Sequence, residues 1–341
     1  MAGLKVIAPG LNPTLQDLGR PWAQHLGAPP SGALDPVALR IANALVGNPA
    51  DMAAIEIRLM GPTLEITAES ARFALVGTAT PIEVLGEKPM QAPAHQSVRL
   101  TQGRRLRIGG IGDSGVAYLA VEGGFDLPPV YDSLSTYTRA RIGGFEGRAL
   151  AEGDDLPLLM QDVAERSESK AGDGSWQTDD APIRVILGPQ DDYFTQDSLT
   201  AFFSEGFSVS READRMGMRL DGPTLKHARG HDIISDGIAT GAIQVPGNGR
   251  PIVLLADHQT TGGYPKLGTV ISADIPRLGR LRPGDTLRFA QVEQSEAEVA
   301  RRDLEDRITK VIDRFGSTDP WLDLDALYQE NLVSGVVGER N

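Results

Sequence analysis

Cysteine is absent from the 341-residue chain, which excludes a disulfide framework, a Cys-ligated metal site and a thiol nucleophile while leaving the redox compartment open. Long hydrophobic runs are missing too. No apolar stretch approaches the about 18 residues needed to cross a bilayer, and MAGLKVIAPG has one Lys before only a short apolar run, unlike a secretory leader. A cytoplasmic protein is the expectation. Basic residues are outnumbered, 33 against 46 acidic, and the formal charge of −13 argues against nucleic acid or an anionic membrane as partner. Aromatics are scarce at 5%, whereas Gly (39) and Pro (23) are plentiful, a balance suited to many short strands joined by tight turns. The length allows two domains, each with its own core.

Two echoes point to related β-rich halves. Arg58-Leu-Met-Gly-Pro-Thr-Leu64 returns as Arg219-Leu-Asp-Gly-Pro-Thr-Leu225, and Gly153-Asp-Asp-Leu156 returns as Gly284-Asp-Thr-Leu287. Between the halves, residues 164–180 are polar and rich in Ser, Gly and Asp, and read as a mobile surface linker. The resulting division is a β-rich module at 1–163, the linker at 164–180, a second β module at 181–291, and a helix with a tail at 292–341.

In the first module, strands are expected at Leu4 to Ala8, Ala54 to Leu59, Ala71 to Val76, Ser97 to Ile108 and Val116 to Val121. One helix is well punctuated: Asp35 as N-cap, Pro36 at the first position, an apolar face of Val37, Ile41, Ala44 and Leu45, and a stop at Gly47-Asn48. In the second module, Ile183 to Leu187 reads as a strand and Asp197 to Phe203 as a helix. Val299, Leu304, Ile308 and Val311 then mark one packed stripe of a surface helix.

The organising stretch is Pro251-Ile-Val-Leu-Leu-Ala256, an apolar run read as a strand buried on both faces. It delivers Asp257, His258, Gln259, Thr260, Thr261, Gly262, Gly263, Tyr264, Pro265 and Lys266 into a loop whose Gly pair lets backbone approach a ligand. One reading is a structural turn with Asp257 capping amides and Lys266 solvated. The functional reading is a site for a small polar, amide-like substrate, with Asp257 or His258 as proton acceptor or hydrogen-bond anchor and Lys266 and Arg20 stabilising an oxyanion or carboxylate. Gln16-Asp17 and Arg20 serve an internal salt bridge or a ligand equally well. Other chemistries fit less. No Gly-x-Ser-x-Gly elbow presents a serine, His227 and His231 with Gly230 between them read as a solvated loop pair, and Gly109-Gly-Ile-Gly112 lacks the Lys and hydroxyl of a nucleotide loop.

Taken together, Thr14-Leu-Gln-Asp-Leu-Gly-Arg20, Ser31-Gly-Ala-Leu-Asp35, Ala42-Asn43, Val46-Gly-Asn48, Glu56, Gly123-Gly124, Ser135-Thr136, Arg215-Met-Gly217, Gly241-Ala-Ile-Gln244 and Asp257-His-Gln-Thr-Thr-Gly-Gly-Tyr-Pro-Lys266 resemble the allophanate hydrolase subunit 2, or KipA-like, family. It is also called the biotin-dependent carboxyltransferase family, and it includes the C subunit of 5-oxoprolinase. The resemblance covers residues 4 to 290, departing at Arg280, where Gln is frequent, and at Tyr131-Asp132, where Leu-Gly is frequent.

The resemblance implies a mainly β fold with a few helices, built of two cyclophilin-like β-barrel modules. It implies work beside a B-type (KipI-like) subunit and an A subunit that together open 5-oxo-L-proline to glutamate, with ATP used by the complex and no covalently bound cofactor. Its alternatives are a carboxyltransferase component acting on urea or a related amide with a biotinyl partner, and a KipA-type regulatory protein that holds the B-type subunit. Asp257, His258 and Lys266 are then the catalytic candidates. Gln16, Asp17, Arg20, Gln244, Gln259, Thr260, Thr261, Gly262, Gly263 and Tyr264 are the candidates for substrate binding, and no metal is expected.

Overall fold

Short strands dominate the computed structural model, which describes residues 3–86, 89–172 and 181–318. The first half supplies β1 (Gly3–Ala8), β2 (Thr14–Gln16), β3 (Ala54–Ile57), β4 (Thr63–Ile66), β5 (Ser70–Val76), β6 (Ile82–Leu85), β7 (Met90–Ala92), β8 (Ser97–Thr101), β9 (Arg105–Ile108), β10 (Ala117–Val121), β11 (Asp155–Pro157) and β12 (Glu168–Lys170). Two antiparallel sheets result, ordered β11-β1-β4-β9-β6-β7 and β2-β3-β10-β5-β8. Leu4, Val6, Leu64 and Leu106 of one meet Ile55, Ile57, Phe73 and Leu119 of the other in a shared core. The two-residue period of a strand then turns Ala54 and Glu56 of β3, with Tyr118 and Ala120 of β10, to the opposite face of the second sheet. A carboxylate and a phenol are thereby placed beneath a helix, α1 (Pro36–Val46), which packs on β5 and β10.

α1 begins where Asp35 Oδ1 accepts from the Val37 and Ala38 N–H groups at 3.0 and 3.1 Å, and ends at Gly47 with φ 84°. Its apolar face is wider than the spacing predicts. Val37, Ala38, Leu39, Ile41, Ala42, Asn43, Leu45 and Val46 are all buried, while Ala44 stays partly exposed. The reason is position: α1 lies between the first half's sheet and the core of the second half.

The second half adds β13 (Ile183–Leu187), β14 (Phe207–Val209), β15 (Gly217–Asp221), β16 (Asp236–Gly237), β17 (Ala242–Gln244), β18 (Ile252–Leu254), β19 (Thr261–Gly262), β20 (Lys266–Val270), β21 (Thr286–Leu287) and β22 (Phe289–Gln291), with α2 (Gln196–Ser204) and α3 (Ile275–Arg280). Eight of these strands form one sheet, β21-β14-β15-β18-β17-β20-β13-β22. Its two end strands are separated in sequence only by Arg288, so the segment from Thr286 to Gln291 draws both ends together and the sheet nearly closes into a barrel. Phe202 and Phe289 stack inside it with ring centroids 4.4 Å apart.

Several expectations need correction. The run from Ser97 to Ile108 is two strands, not one, because Gly103 at φ 78° turns the chain and β8 and β9 join different sheets. β3 stops at Ile57, before Leu59 at φ 66°, and the organising strand stops at Leu254. Within the expected linker, residues 164–167 are exposed, but 168–171 are tied into the fold. β12 pairs with β23 (Gly316–Thr318), and buried Glu168 meets Arg72, itself fully buried, at 3.0 Å. The rest of the expected linker, 173–180, and the tail from 319 on lie outside the described residues. In α4 (Gln294–Asp313) the packed stripe runs through Ala300, Leu304, Ile308 and Val311, whereas Val299 is exposed, one position off the contact line.

The shorter echo has a structural basis. Val6 N–H donates to Asp154 O while Gly153 N–H donates to Val6 O, and Val209 repeats both bonds with Asp285 and Gly284. In each copy the Asp carboxylate accepts an N–H three residues back, from Ala151 or Arg282. The longer echo has none: Arg219 and Leu220 lie within β15, whereas Arg58 and Leu59 lie past the end of β3.

Candidate functional site

β18 ends against the chain at Arg215-Met216. Leu255 N–H donates to Met216 O (3.0 Å) and Asp257 N–H to Arg215 O (2.9 Å), which fixes the carboxylate beside the guanidinium. Arg215 Nε and Nη2 then hold Asp257 Oδ2 and Oδ1 at 2.8 and 3.1 Å. The same guanidinium donates to Gly32 O (2.7 Å) and, through Nη1, to Glu56. Glu56 also accepts from the Tyr118 hydroxyl (2.7 Å) and Leu34 N–H (3.1 Å). Tyr118 in turn accepts from Asp35 N–H (2.9 Å), and Asp35 Oδ2 takes Arg280 Nε at 2.6 Å. A single polar seam therefore runs from Asp257 through Arg215, Glu56, Tyr118 and Asp35 to Arg280, crossing from the second half to the first and back.

The electrostatics follow from burial. Burial alone would lower the pKa of Arg215, but Glu56 and Asp257 outweigh it and raise the value. Burial, with the charges of Glu56 and Asp35, pushes the Tyr118 hydroxyl well up, so it keeps its proton and donates to Glu56. Asp257 is thus an anchor with both oxygens engaged, and the proton-acceptor role does not suit it.

His258 is fully buried, its Nδ1 2.6 Å from Gln259 O and its Nε2 3.2 Å from the Thr240 hydroxyl. A carbonyl can only accept, so Nδ1 carries the proton and Nε2 accepts from Thr240. Burial lowers the His258 pKa, against the opposing pull of Gln259 O and Asp257, and favours this neutral form. Lys266, only 4% exposed, directs its amine to Asp236 Oδ2 at 2.7 Å and is not solvated. Asp236 sits on β16, which pairs with β19 inside the loop and folds residues 233–238 over it. Gln244 Oε1 accepts from Gln259 at 3.3 Å. Gly262 has to be glycine here, since a Cβ would meet Gln244 Nε2 at 2.5 Å and Ile238 Cδ1 at 2.7 Å. Thr260 is half-buried with Gly262 and Gly263, while Thr261 and Tyr264 are exposed.

On the first half, Asp17 and Arg20 do not form the internal salt bridge. Asp17 accepts from the hydroxyls of Ser133 and Ser135 and the N–H groups of Gly19 and Leu134. Arg20 donates to the carbonyls of Val130 (3.3 Å) and Ser135. Gln16 donates to Thr14 Oγ1 (2.9 Å) and Thr136 O (3.0 Å). This group is brought to the Asp257 loop by Ser31, whose N–H donates to Ala256 O at 2.8 Å, and by Gln24, which reaches Ile238 O at 3.4 Å. Among the described residues, four buried side-chain atoms of this region lack a partner: Gln16 Oε1, Arg20 Nη1, Ser31 Oγ and Gln244 Nε2. Such atoms are rare in folded proteins, which makes this group a candidate for recognising a polar ligand.

Other motifs resolve plainly. His227 Nε2 donates to Val245 O at 3.0 Å and Gly230 has φ 102°, so the histidine pair lies in a loop. Gly109 O accepts from Gly61 N–H and Ile111 N–H donates to Leu59 O, which makes the glycine cluster a turn between strands. Arg215, Glu56, Tyr118 and Ser31 received no role from sequence reasoning, and Asp35 only that of a helix cap. The available signal was Glu56 itself, a lone carboxylate inside the apolar run Ala53-Ala-Ile-Glu-Ile57.

Comparison with known proteins agrees with this fold. The model of the family described as carboxyltransferase domain, subdomain A and B, matches residues 26–291. The chain belongs to this carboxyltransferase family. It is 38% identical over 307 residues to the 5-oxoprolinase C subunit of Escherichia coli, covering 88% of this chain and 94% of that one. It is 31% identical to the urea amidolyase of Saccharomyces cerevisiae, covering 84% of this chain but 16% of the yeast protein. Among solved structures, the urea amidolyase of K. lactis superposes with a TM-score of 0.82 at 28% identity, over 91% of this chain and 20% of that one. The carboxyltransferase fold thus spans about a fifth of these longer enzymes.

Proposed function

We propose that the chain is the C subunit of an ATP-dependent 5-oxoprolinase, acting with a B-type and an A-type subunit to open 5-oxo-L-proline to L-glutamate. The observation that carries this reading is the near end-to-end match to the 5-oxoprolinase C subunit of Escherichia coli, 94% of that protein. The substrate would lie at the seam, where unpartnered donors and acceptors suit a small amide: Gln244 Nε2 and Arg20 Nη1 can donate, and Gln16 Oε1 can accept. Asp257 would orient the substrate through Arg215, Lys266 would counter developing negative charge, and neutral His258 would offer Nε2 once Thr240 turns away. An activated carboxyl or phosphoryl group would meet the amide there, and ATP belongs to the complex as a whole.

A second reading is transfer of a carboxyl group to urea or a related amide with a biotinyl partner. The family's own description and the likeness to urea amidolyases favour it. Biotin would supply only the carboxyl group, and Arg20 suits an anionic carboxyl as it suits the carboxylate of 5-oxoproline. Co-expression with B- and A-type subunits, followed by glutamate release from 5-oxoproline with ATP, supports the first reading. Carboxylation of urea with a biotinyl partner, and no glutamate, would replace it with the second.

A further inference from the structure

We propose that Arg20 Nη1 and Ser31 Oγ together form a carboxylate-binding point at the seam. The inference rests on the seam being the substrate site and adds which end of the substrate is held, and by what. Arg20 is 2% exposed, yet among the described residues its guanidinium donates only to two carbonyl oxygens, and no carboxylate stands within ion-pairing distance. A buried cation without a counter-ion is costly unless an anion completes it. Burial lowers its pKa, and Asp17 and Asp257 only partly offset this.

Ser31 gives an independent sign. It holds φ 53°, a left-handed backbone that a side chain resists and glycine accepts freely. It is 6% exposed, and its hydroxyl makes no hydrogen bond that would repay the strain. Unrelieved strain of this kind collects at ligand sites. The backbones that carry the two side chains run side by side: Arg20 N–H donates to Pro30 O at 2.7 Å, next to Ser31, and a Cβ on Gly19 would meet Ser31 O at 2.7 Å. Arg20 Nη1 carries two open N–H groups and Ser31 one hydroxyl, donors enough for both oxygens of a carboxylate, and the charge of Arg20 excludes a cation.

The test compares 5-oxoproline with 2-pyrrolidinone, the same lactam without its carboxylate, by calorimetric titration of the full-length chain assembled with its B-type subunit. The expected result is binding of 5-oxoproline at least about tenfold tighter, with that advantage lost in Arg20→Gln. Ser31→Gly, which relieves the left-handed strain, should weaken 5-oxoproline several-fold without lowering the melting temperature, which separates a ligand role from a structural one. Acetate that binds the wild type but not Arg20→Gln, when neither lactam binds, would uphold the carboxylate point and overturn the 5-oxoproline reading. Equal affinity for the two lactams, a Ser31→Gly variant that binds like wild type, or a preference for inorganic phosphate over acetate would overturn the inference.

Discussion

Arg215 grips Asp257 through both carboxylate oxygens, at 2.8 and 3.1 Å, while its third nitrogen reaches Glu56 in the other half of the molecule. One guanidinium thus fixes the loop after β18 relative to the sheet that carries β3, and the geometry of the candidate site depends on it. Breaking a buried pair strands the remaining charges. Arg215→Met should therefore cost about 3–5 kcal/mol in urea denaturation. Glu56→Gln and Asp257→Asn should each couple to it in double-mutant cycles, and additive effects would show that the three groups do not act together.

Asp35 has two duties, capping α1 and pairing with Arg280. Loss of the cap alone costs about 1 kcal/mol, and the buried pair adds to it, so Asp35→Ala should lose about 3–5 kcal/mol. Asp35→Asn keeps an acceptor for the helix N–H groups and should lose less. A stability unchanged in Asp35→Asn would rule out a contribution from the Arg280 pair, and equal losses in the two variants would rule out one from the cap.

His258 makes stability depend on pH in a defined direction. Burial holds its folded-state pKa below the ordinary value of 6.5, so between that lowered value and 6.5 the unfolded chain binds a proton that the folded chain does not. Stability should be full above about pH 6.5 and fall as pH drops through the window below it. For Asp154 and Asp285 burial works to raise the pKa, but their arginine partners outweigh it and lower the value from 3.8, so these pairs lose their contribution only in more acid solution. His258→Gln should flatten the profile of denaturation midpoints between about pH 5 and 7, and an unchanged slope would assign the titration elsewhere.

Gly262 lies where a methyl group has no room. Gly262→Ala should displace Gln244 and Ile238, cost about 1–3 kcal/mol, and raise KM for the amide substrate more than it lowers kcat. A loss of stability with KM unchanged would separate Gln244 from substrate binding.

How much of this could be read from the chain itself differs from element to element. The α1 punctuation was legible because Asp35, Pro36 and Gly47 act locally, through capping and backbone preference. The mainly β character was legible from short apolar runs between turns. The width of α1's buried face was not, since it depends on a second half that packs against it from far along the sequence. The loop from Asp257 to Lys266 stood out by composition, but its engagement with Arg215, Thr240 and Asp236 did not. Those partners are set by strand register, which a single sequence does not display. Arg280, noted only as a departure from the family pattern, proves to be the partner of Asp35. Tyr131 and Asp132, the other departure, both adopt positive φ, 53° and 59°, in the turn between Val130 and Ser133.

The most direct test of the seam as the working site is the rate of glutamate release from 5-oxoproline with ATP, by the complex of this chain with its B- and A-type subunits, comparing wild type with Asp257→Asn. That variant keeps the size of the side chain and removes the charge that Arg215 holds. With assembly of the complex verified, kcat/KM should fall by about a hundredfold or more, whereas turnover within about twofold of wild type would contradict the account.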